Sequence, residues 1–275
     1  MTYINLSGYA FIKLNNLEDL KGRLKTYCRN LGLKGTILLS QEGINVFIAG
    51  TREIVETFNN SLAEFQLPRL HFKESPSDAL PFKRMLVKIK SEIITMGVDH
   101  IDPEQHPAPY ISPETLKEWY ETGKAFIILD TRNDYEVKCG KFKNAVDFNI
   151  TQFTDFPRAC ETLPPEWKDK PIVTYCTGGI RCEKAAPFLQ SIGYENVYQL
   201  EGGILNYFER CQNDHYDGEC FVFDKRIAVG SDLNESTTVQ CFQCRMPVTK
   251  AEQNSPDYKV GEFCPSCVKS DKACL

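Results

Sequence analysis

The stretch VTYCTGGIRCEKAAPFL, residues 173–189, ends a β-branched run at Cys176. Thr177, Gly178, Gly179, Ile180 and Arg181 follow, and a helical pattern begins near Cys182. In open α/β sheets, ligands sit beyond the carboxyl ends of the strands, where Cys176 falls. Glycines at that point let the backbone curl so that amide hydrogens converge at a helix N-terminus, which stabilises an anion. For a cysteine the anion is the thiolate, the nucleophilic form. A buried structural cysteine before a turn is the plainer reading of a bare Cys-Gly pair. The full succession of strand, Cys, two Gly, Arg and helix favours chemistry at sulfur. Cys182 is either a resolving partner for an oxidised Cys176 or an ordinary residue of the first helical turn.

A second cluster lies near the C-terminal end. Cys241-Phe-Gln-Cys244 and Cys264-Pro-Ser-Cys267 are two C-x2-C pairs with 19 residues between them. Two such knuckles can present four sulfurs tetrahedrally, so a structural zinc in a ribbon-like module is expected. Residues 213–275 hold few core apolar residues and need such a staple to fold. A site closed by four thiolates would do no chemistry of its own. Cys220, in DGECFVFDKRI beside the strand-like FVFD, either belongs to the active site or is simply packed, with packing favoured, and Cys274 reads as exposed near the last residue.

Composition limits the class of protein. The 275 residues allow two or three domains, and 42% hydrophobic with 25% charged residues is ordinary for a globular chain. No apolar run approaches the roughly 20 residues that span a bilayer. The opening MTYINLSGYAFIKL lacks the features of a secretory signal. A cytoplasmic location without membrane contact is therefore expected, where reduced cysteines serve metal binding or chemistry rather than disulfides. Seven of the twelve cysteines lie at or beyond residue 211. The net charge of −5 is unevenly spread: residues 1–90 carry 13 Lys+Arg against 8 Asp+Glu, the remainder 19 against 29. A basic N-terminal part is compatible with a polyanionic partner, and equally with a solvated charged face.

The elements that must position these residues follow from periodicity. GYAFIKL, KGTILLS, GINVFIAG and RLHFKES read as strands, and NLEDLKGRLKTYCRNLG and TREIVETFNNSLAEF as helices. Their order βαββαβ predicts a ferredoxin-like α+β domain over residues 1–95, with a further strand bearing Lys83, Arg84, Lys88 and Lys90. Residues 96–112 are proline-rich and read as a linker. Over 113–212, the apolar runs AFIILDTR, AVDFNI, PIVTYC and NVYQLEGG alternate with helical segments, which predicts an α/β domain with a parallel sheet. Residues 213–275 lose regular periodicity and read as a small Cys-rich module.

The central domain resembles the rhodanese superfamily. DTRNDYE (130–136) matches its upstream motif, CTGGIR its six-residue active-site loop, and LEGGI (200–204) its downstream Gly-Gly signature. The resemblance implies that Cys176 is a nucleophile able to carry a persulfide. It also implies that Arg181 and the amides of residues 177–182 surround the terminal sulfur. Asp130 and Arg132 either tie the neighbouring strand end to the loop or form a plain structural ion pair. Cysteine phosphatases need Cys-x5-Arg, whereas Arg181 gives Cys-x4-Arg, which argues against phosphatase chemistry. The whole order of domains, with YCTGGIRCEKA, GxCFVFDxR and the paired C-x2-C, resembles the bacterial tRNA uridine(34) hydroxylase family. That resemblance implies oxygen-dependent hydroxylation at C5 of the wobble uridine, with molecular oxygen as co-substrate. It makes tRNA the partner, its anticodon arm held through phosphates by Lys83, Arg84 and Lys88. No flavin or nucleotide motif is visible, and the four histidines show no metal spacing. Two other functions stay open: a plain thiosulfate or persulfide sulfurtransferase, and a non-catalytic tRNA- or protein-binding module. The oligomeric state is not readable.

Overall fold

A computed structural model describes residues 2–268, so Cys274 lies outside the described residues. The first domain runs β1 (Tyr3–Phe11), α1 (Leu17–Asn30), β2 (Lys34–Ser40), β3 (Gly43–Gly50), α2 (Arg52–Ser61), β4 (Lys73–Ser77) and β5 (Met85–Ile89). Its sheet has the order β4-β1-β3-β2-β5, antiparallel throughout except that β5 joins β2 in parallel. Strand alternation divides the sheet cleanly. Leu6, Ile37, Leu39, Val46, Ile48 and Val87 are buried in one core with Leu20, Leu24, Val55 and Phe58 of the helices. The opposite face is mixed: Tyr9 pairs with Asn45, Asn45 with Leu38 and Leu38 with Lys88, while Lys73, Ser7, Phe47 and Thr36 make the next row. β1 begins at Tyr3 rather than Gly8, because the polar Asn5 that interrupts the apolar pattern is held by Ser75 O and Ser77 Oγ at 2.9 and 3.0 Å.

The central domain continues with β6 (Tyr110–Ile111), α3 (Pro113–Glu121), β7 (Ile127–Asp130), α4 (Asp134–Val137), β8 (Gly140–Phe142), β9 (Val146–Asp147), α5 (Phe156–Ala159), β10 (Ile172–Tyr175), α6 (Ile180–Ser191), β11 (Val197–Leu200) and α7 (Gly203–Cys211). β6-β11-β10-β7-β9 form a parallel sheet with a core on each face. Ile128, Val173, Tyr207 and Phe208 fill one core, and Leu129, Ile172, Phe156 and Leu189 the other. Ser112 caps α3 by accepting from the Thr115 amide at 3.1 Å, with Pro113 at the first position.

Two stretches pack more closely than their composition suggests. Within 96–112, Met96 and Ala108 are buried in the second of these cores, and Tyr110–Ile111 adds an edge strand beside β11. Prolines exclude a helix there but permit a short strand at a sheet edge. Past residue 213, β12 (Tyr216–Gly218) pairs with β8, and β13 (Cys220–Phe221) with β14 (Ala228–Val229). Tyr216, Cys220, Val222 and Val229 belong to the central core. β15 (Val239–Gln240), β16 (Pro247–Val248) and α8 (Lys250–Gln253) surround a separate small cluster of Cys241, Val248, Cys264 and Cys267. No helix among the described residues is long and apolar enough to cross a membrane.

Candidate active site

The buried strand β10 delivers Cys176 to a tight loop that closes at Gly179, whose φ of 100° suits glycine, and α6 starts at Ile180. The Gly179 amide donates to Cys176 Sγ at 3.1 Å. Burial alone would push the Cys176 thiol up. A hydrogen bond with Cys182, the positive charge of Arg181 and the amides of Arg181 and Gly179 outweigh burial and bring it down. The fully buried Cys182 moves the other way, raised by burial and by the charge on Cys176, so the proton of the pair stays on Cys182. Support comes from behind, where the amides of Ile204 and Leu205 donate to Cys176 O and Thr177 O at 3.0 and 3.1 Å. A Cβ on Gly203 would lie 2.4 Å from Cys176 O and 2.8 Å from Gly179 N. The second glycine of LEGGI is therefore demanded by its close approach to the cysteine loop.

Arg181 does not turn its guanidinium to the sulfur. It makes a two-pronged ion pair with Glu136 at 2.5 and 2.6 Å and acts on Cys176 through its charge. The reason is burial: at 4% exposure a guanidinium requires a carboxylate partner. Glu136, fully buried, also accepts from Thr177 Oγ1 and the Asn133 amide, each at 3.1 Å. Burial would raise its carboxyl, but Arg181 and Arg132 hold it below its ordinary value. Asp130 and Arg132 form their own buried pair at 2.6 Å. Asp130 accepts from the Tyr175 hydroxyl at 2.5 Å, and Arg132 donates to Gly140 O at 2.7 Å, which ties the end of β7 to the residue preceding Cys176. Glu136 closes the DTRNDYE motif, yet nothing in its spacing from Cys176 marks it as part of the site.

Cys176 is 1% exposed, yet it lines the floor of a cavity of about 550 Å³ together with Thr177, Gly178, Ile180 and Arg181. The opposite wall is the mixed face of the first domain: Ser7, Tyr9, Thr36, Leu38, Asn45 and Phe47. Phe82, Phe153 and Phe223 add aromatic surface, and Phe223 is 48% exposed at the rim. The size, the flat apolar rings and the few polar groups suit a planar heterocycle lying against the sulfur. Lys83, Arg84 and Lys88 are exposed and stand outside this lining; Lys90, two residues beyond Lys88, is part of it. Lys88 shares the cavity-facing side of the sheet through its register with Leu38. Cys220 is fully buried and its thiol is pushed up to about 12 by burial, so it is a packed residue. Its neighbours carry the geometry of that segment: Phe221 O accepts from Thr177 Oγ1 at 3.4 Å, and Arg226, paired with Asp224, reaches Ser75 Oγ of the first domain at 2.8 Å.

The four cysteines of the paired knuckles converge, with all sulfurs within 4.8 Å of one another. The separations Cys241–Cys267, Cys244–Cys264 and Cys264–Cys267 are 3.7, 3.6 and 3.8 Å. A tetrahedron with metal–sulfur bonds of about 2.3 Å has edges of about 3.8 Å. The cluster can bind a metal ion. Lys138 next to α4 secures it by pairing with Glu252 at 2.8 Å and donating to Ser266 Oγ at 2.8 Å.

Comparison with known proteins adds two domain families. Residues 3–93 match a UPF0176 acylphosphatase like domain and residues 112–210 a rhodanese-like domain. Over nearly its whole length the chain is similar to proteins named tRNA uridine(34) hydroxylase. That of Cupriavidus pinatubonensis is 49% identical, with 98% of this chain and 97% of that protein covered. Those of Paraburkholderia xenovorans and Burkholderia cenocepacia are 48% and 47% identical, with 99% of this chain covered in each case.

Proposed function

The chain belongs to the tRNA uridine(34) hydroxylase family, and from that premise we propose that Cys176 is the group that engages the wobble uridine. The protein is a tRNA-modifying enzyme, a hydroxylase built on a rhodanese domain. In our reading the Cys176 thiolate adds to C6 of the uracil and makes C5 electron-rich toward an oxygen donor derived from molecular oxygen. The observation that carries this reading is the Cys176 sulfur, which accepts from the Gly179 amide at 3.1 Å on the floor of a cavity walled by Phe47, Phe82, Phe153 and Phe223. A base turned out of the anticodon loop would stack on such rings. Thr177, Gly178, Gly179 and Ile180 shape the loop, Cys182 keeps its own proton and lends it in a hydrogen bond to the Cys176 thiolate, and Arg181 supplies positive charge while Glu136 fixes it. Cys176→Ser should abolish 5-hydroxyuridine in tRNA, measured by nucleoside mass spectrometry; undiminished product would reject the role. Growth under ¹⁸O-labelled oxygen should add the heavy isotope to the new hydroxyl, and incorporation from labelled water instead would reject molecular oxygen as its source.

Lys88 lies on the edge strand β5 of a basic domain, with exposed Lys83 and Arg84 just before that strand and Lys90, which lines the cavity, just after it, and this supports their use as phosphate contacts for the anticodon arm. Replacing Arg84 and Lys88 together should reduce the slope of log affinity against log salt by about two, one for each lost phosphate contact. For the four-cysteine cluster we propose structural zinc held by Cys241, Cys244, Cys264 and Cys267, which would staple the module without joining the reaction. One zinc per chain by elemental analysis is expected, falling on Cys264→Ser replacement. A tRNA substrate and reduced cysteines suit the cytoplasm.

A further inference from the structure

We infer that Tyr9, which the first domain contributes to the Cys176 cavity, takes the hydrogen from C5 of the bound uracil as a proton, passing its own hydroxyl proton to Glu183, which Tyr110 links to solvent. The inference rests on the Cys176 adduct proposed above. Tyr9 Oη donates to Glu183 Oε1 at 2.7 Å. It also lies 2.8 Å from where a Cβ on Gly179 would stand, against the loop that holds the sulfur. Glu183 sits in the first turn of α6, only 6% exposed, and accepts from the Tyr110 hydroxyl at 3.0 Å on both carboxylate oxygens. Tyr110 is 52% exposed. With Tyr9 and Glu183 it lines a second hollow, of about 600 Å³, separate from the cavity that contains Cys176. A hydrogen-bonded path therefore leads from the reacting cavity through Glu183 to the exposed Tyr110 in the second hollow.

The electrostatics fit a relay rather than a resting ion. Burial, followed by the charge of Glu183, pushes the Tyr9 hydroxyl well up, which disfavours a free phenolate. Burial also raises the Glu183 carboxyl, so this carboxylate is readier than an exposed one to receive a proton. The bookkeeping of the step is closed. In the adduct, sulfur is bonded to C6, and C5 carries both its hydrogen and the newly attached oxygen. The C5–H bond breaks and its electron pair forms the C5=C6 double bond. The C6–S bond breaks in turn and its pair returns to sulfur as thiolate. The hydrogen leaves as a proton to Tyr9 Oη while the proton of Tyr9 moves to Glu183. No oxidant enters this step. Without any oxygen donor, water in the donor's place protonates C5 of the adduct from the opposite face, and Tyr9 with Glu183 then takes the original hydrogen, which exchanges it with water.

That exchange provides the test. An anticodon stem-loop RNA tritiated at C5 of its single wobble uridine is incubated anaerobically with the full-length enzyme, and tritium release to water is followed. The wild-type enzyme should release it. Tyr9→Phe and Glu183→Gln should slow release by about 100-fold, the contribution of a positioned acid–base group. RNA binding and iodoacetamide alkylation of Cys176 should stay at wild-type level in Tyr9→Phe, because the ring still fills its place. Release by Tyr9→Phe at the wild-type rate but not by Cys176→Ser would overturn the relay and leave the adduct standing. Parallel loss of binding and alkylation in Tyr9→Phe would overturn the relay by making the residue structural. A wild-type enzyme that hydroxylates in air yet releases no tritium anaerobically would overturn the adduct and the relay with it.

Discussion

Cys176 pairs two properties that usually oppose each other, near-complete burial and a lowered thiol pKa. Desolvation works against the thiolate, but amides, the Cys182 thiol and a fixed guanidinium supply more than it removes. An ordinary cysteine titrates near pH 8.5. Alkylation of Cys176 by iodoacetamide should therefore run at a constant rate through neutral pH and decline only in acid, with the 176 peptide followed by mass spectrometry. Cys182→Ala removes one hydrogen bond to the thiolate, raises its pKa and should shift that decline toward neutral pH. A rate that climbs tenfold per pH unit up to about pH 8.5 would contradict the assignment. Arg181 and Glu136 make a second residue-scale case, because each is buried and charged. Arg181→Met strands Glu136 and should lower unfolding free energy by about 3–5 kcal/mol in urea titrations, and adding Glu136→Gln should restore most of it. Cys176 was legible in the sequence because strand, glycines and helix adjoin it. Glu136 was not, because an ion pair closed by tertiary folding leaves no spacing signature.

At the scale of elements, the cysteine loop is held between the start of α6 and the start of α7. Gly203 is the point of contact, with a φ of +65° and Cys176 O in the space a side chain would need. Gly203→Ala should cost about 1–3 kcal/mol and slow Cys176 alkylation, because α7 must lift away and its two amides release the loop carbonyls. Gly22→Ala is the counterpart on α1, where a Cβ would meet nothing within 4 Å. A glycine inside a helix with no packing role is a pure entropy cost, so that change should stabilise by about 0.5–1 kcal/mol. If both substitutions destabilised equally in the same denaturation experiment, close approach at Gly203 would not be its function. The elements of both principal domains were largely readable, since β7 and β10 are continuous apolar runs and α1 and α2 are amphipathic. The edge strand β6 was hidden among prolines, and of residues 216–229 only the strand beside Cys220 was readable, because Tyr216, Val222 and Val229 are buried without any regular period.

The arrangement of the whole molecule was the least legible level. The mixed face of the first sheet alternates as a solvent-facing surface does, and nothing local says that it roofs a cavity over Cys176. What fixes the two domains together is a set of polar contacts: Tyr9 with Glu183, Arg226 with Ser75, and Lys184 with Glu42 and Glu92. Lys184 is 3% exposed on α6, and its ammonium lies 2.7 Å from Glu42 and 2.6 Å from Glu92, both on the first domain. Burial would raise the Glu92 carboxyl, but the hydrogen bond from Lys184 and the Met96 amide hold it below its ordinary value. A carboxylate so depressed contributes stability that is full above its unfolded pKa, near 4.3, and is lost as pH falls through the folded value. The domain contact should accordingly weaken in acid before the central core unfolds. Lys184→Met tests the same contact at neutral pH. It leaves two facing carboxylates without their cation and should lower unfolding free energy by about 3 kcal/mol. Hydroxylation should fall with it because the cavity wall loosens, while Cys176 alkylation, which depends on the loop within the central domain, should persist. Pairing Lys184→Met with Glu42→Gln and Glu92→Gln should recover both stability and hydroxylation. Loss of alkylation together with hydroxylation would mean instead that Lys184 supports the cysteine loop itself and not the join between the domains.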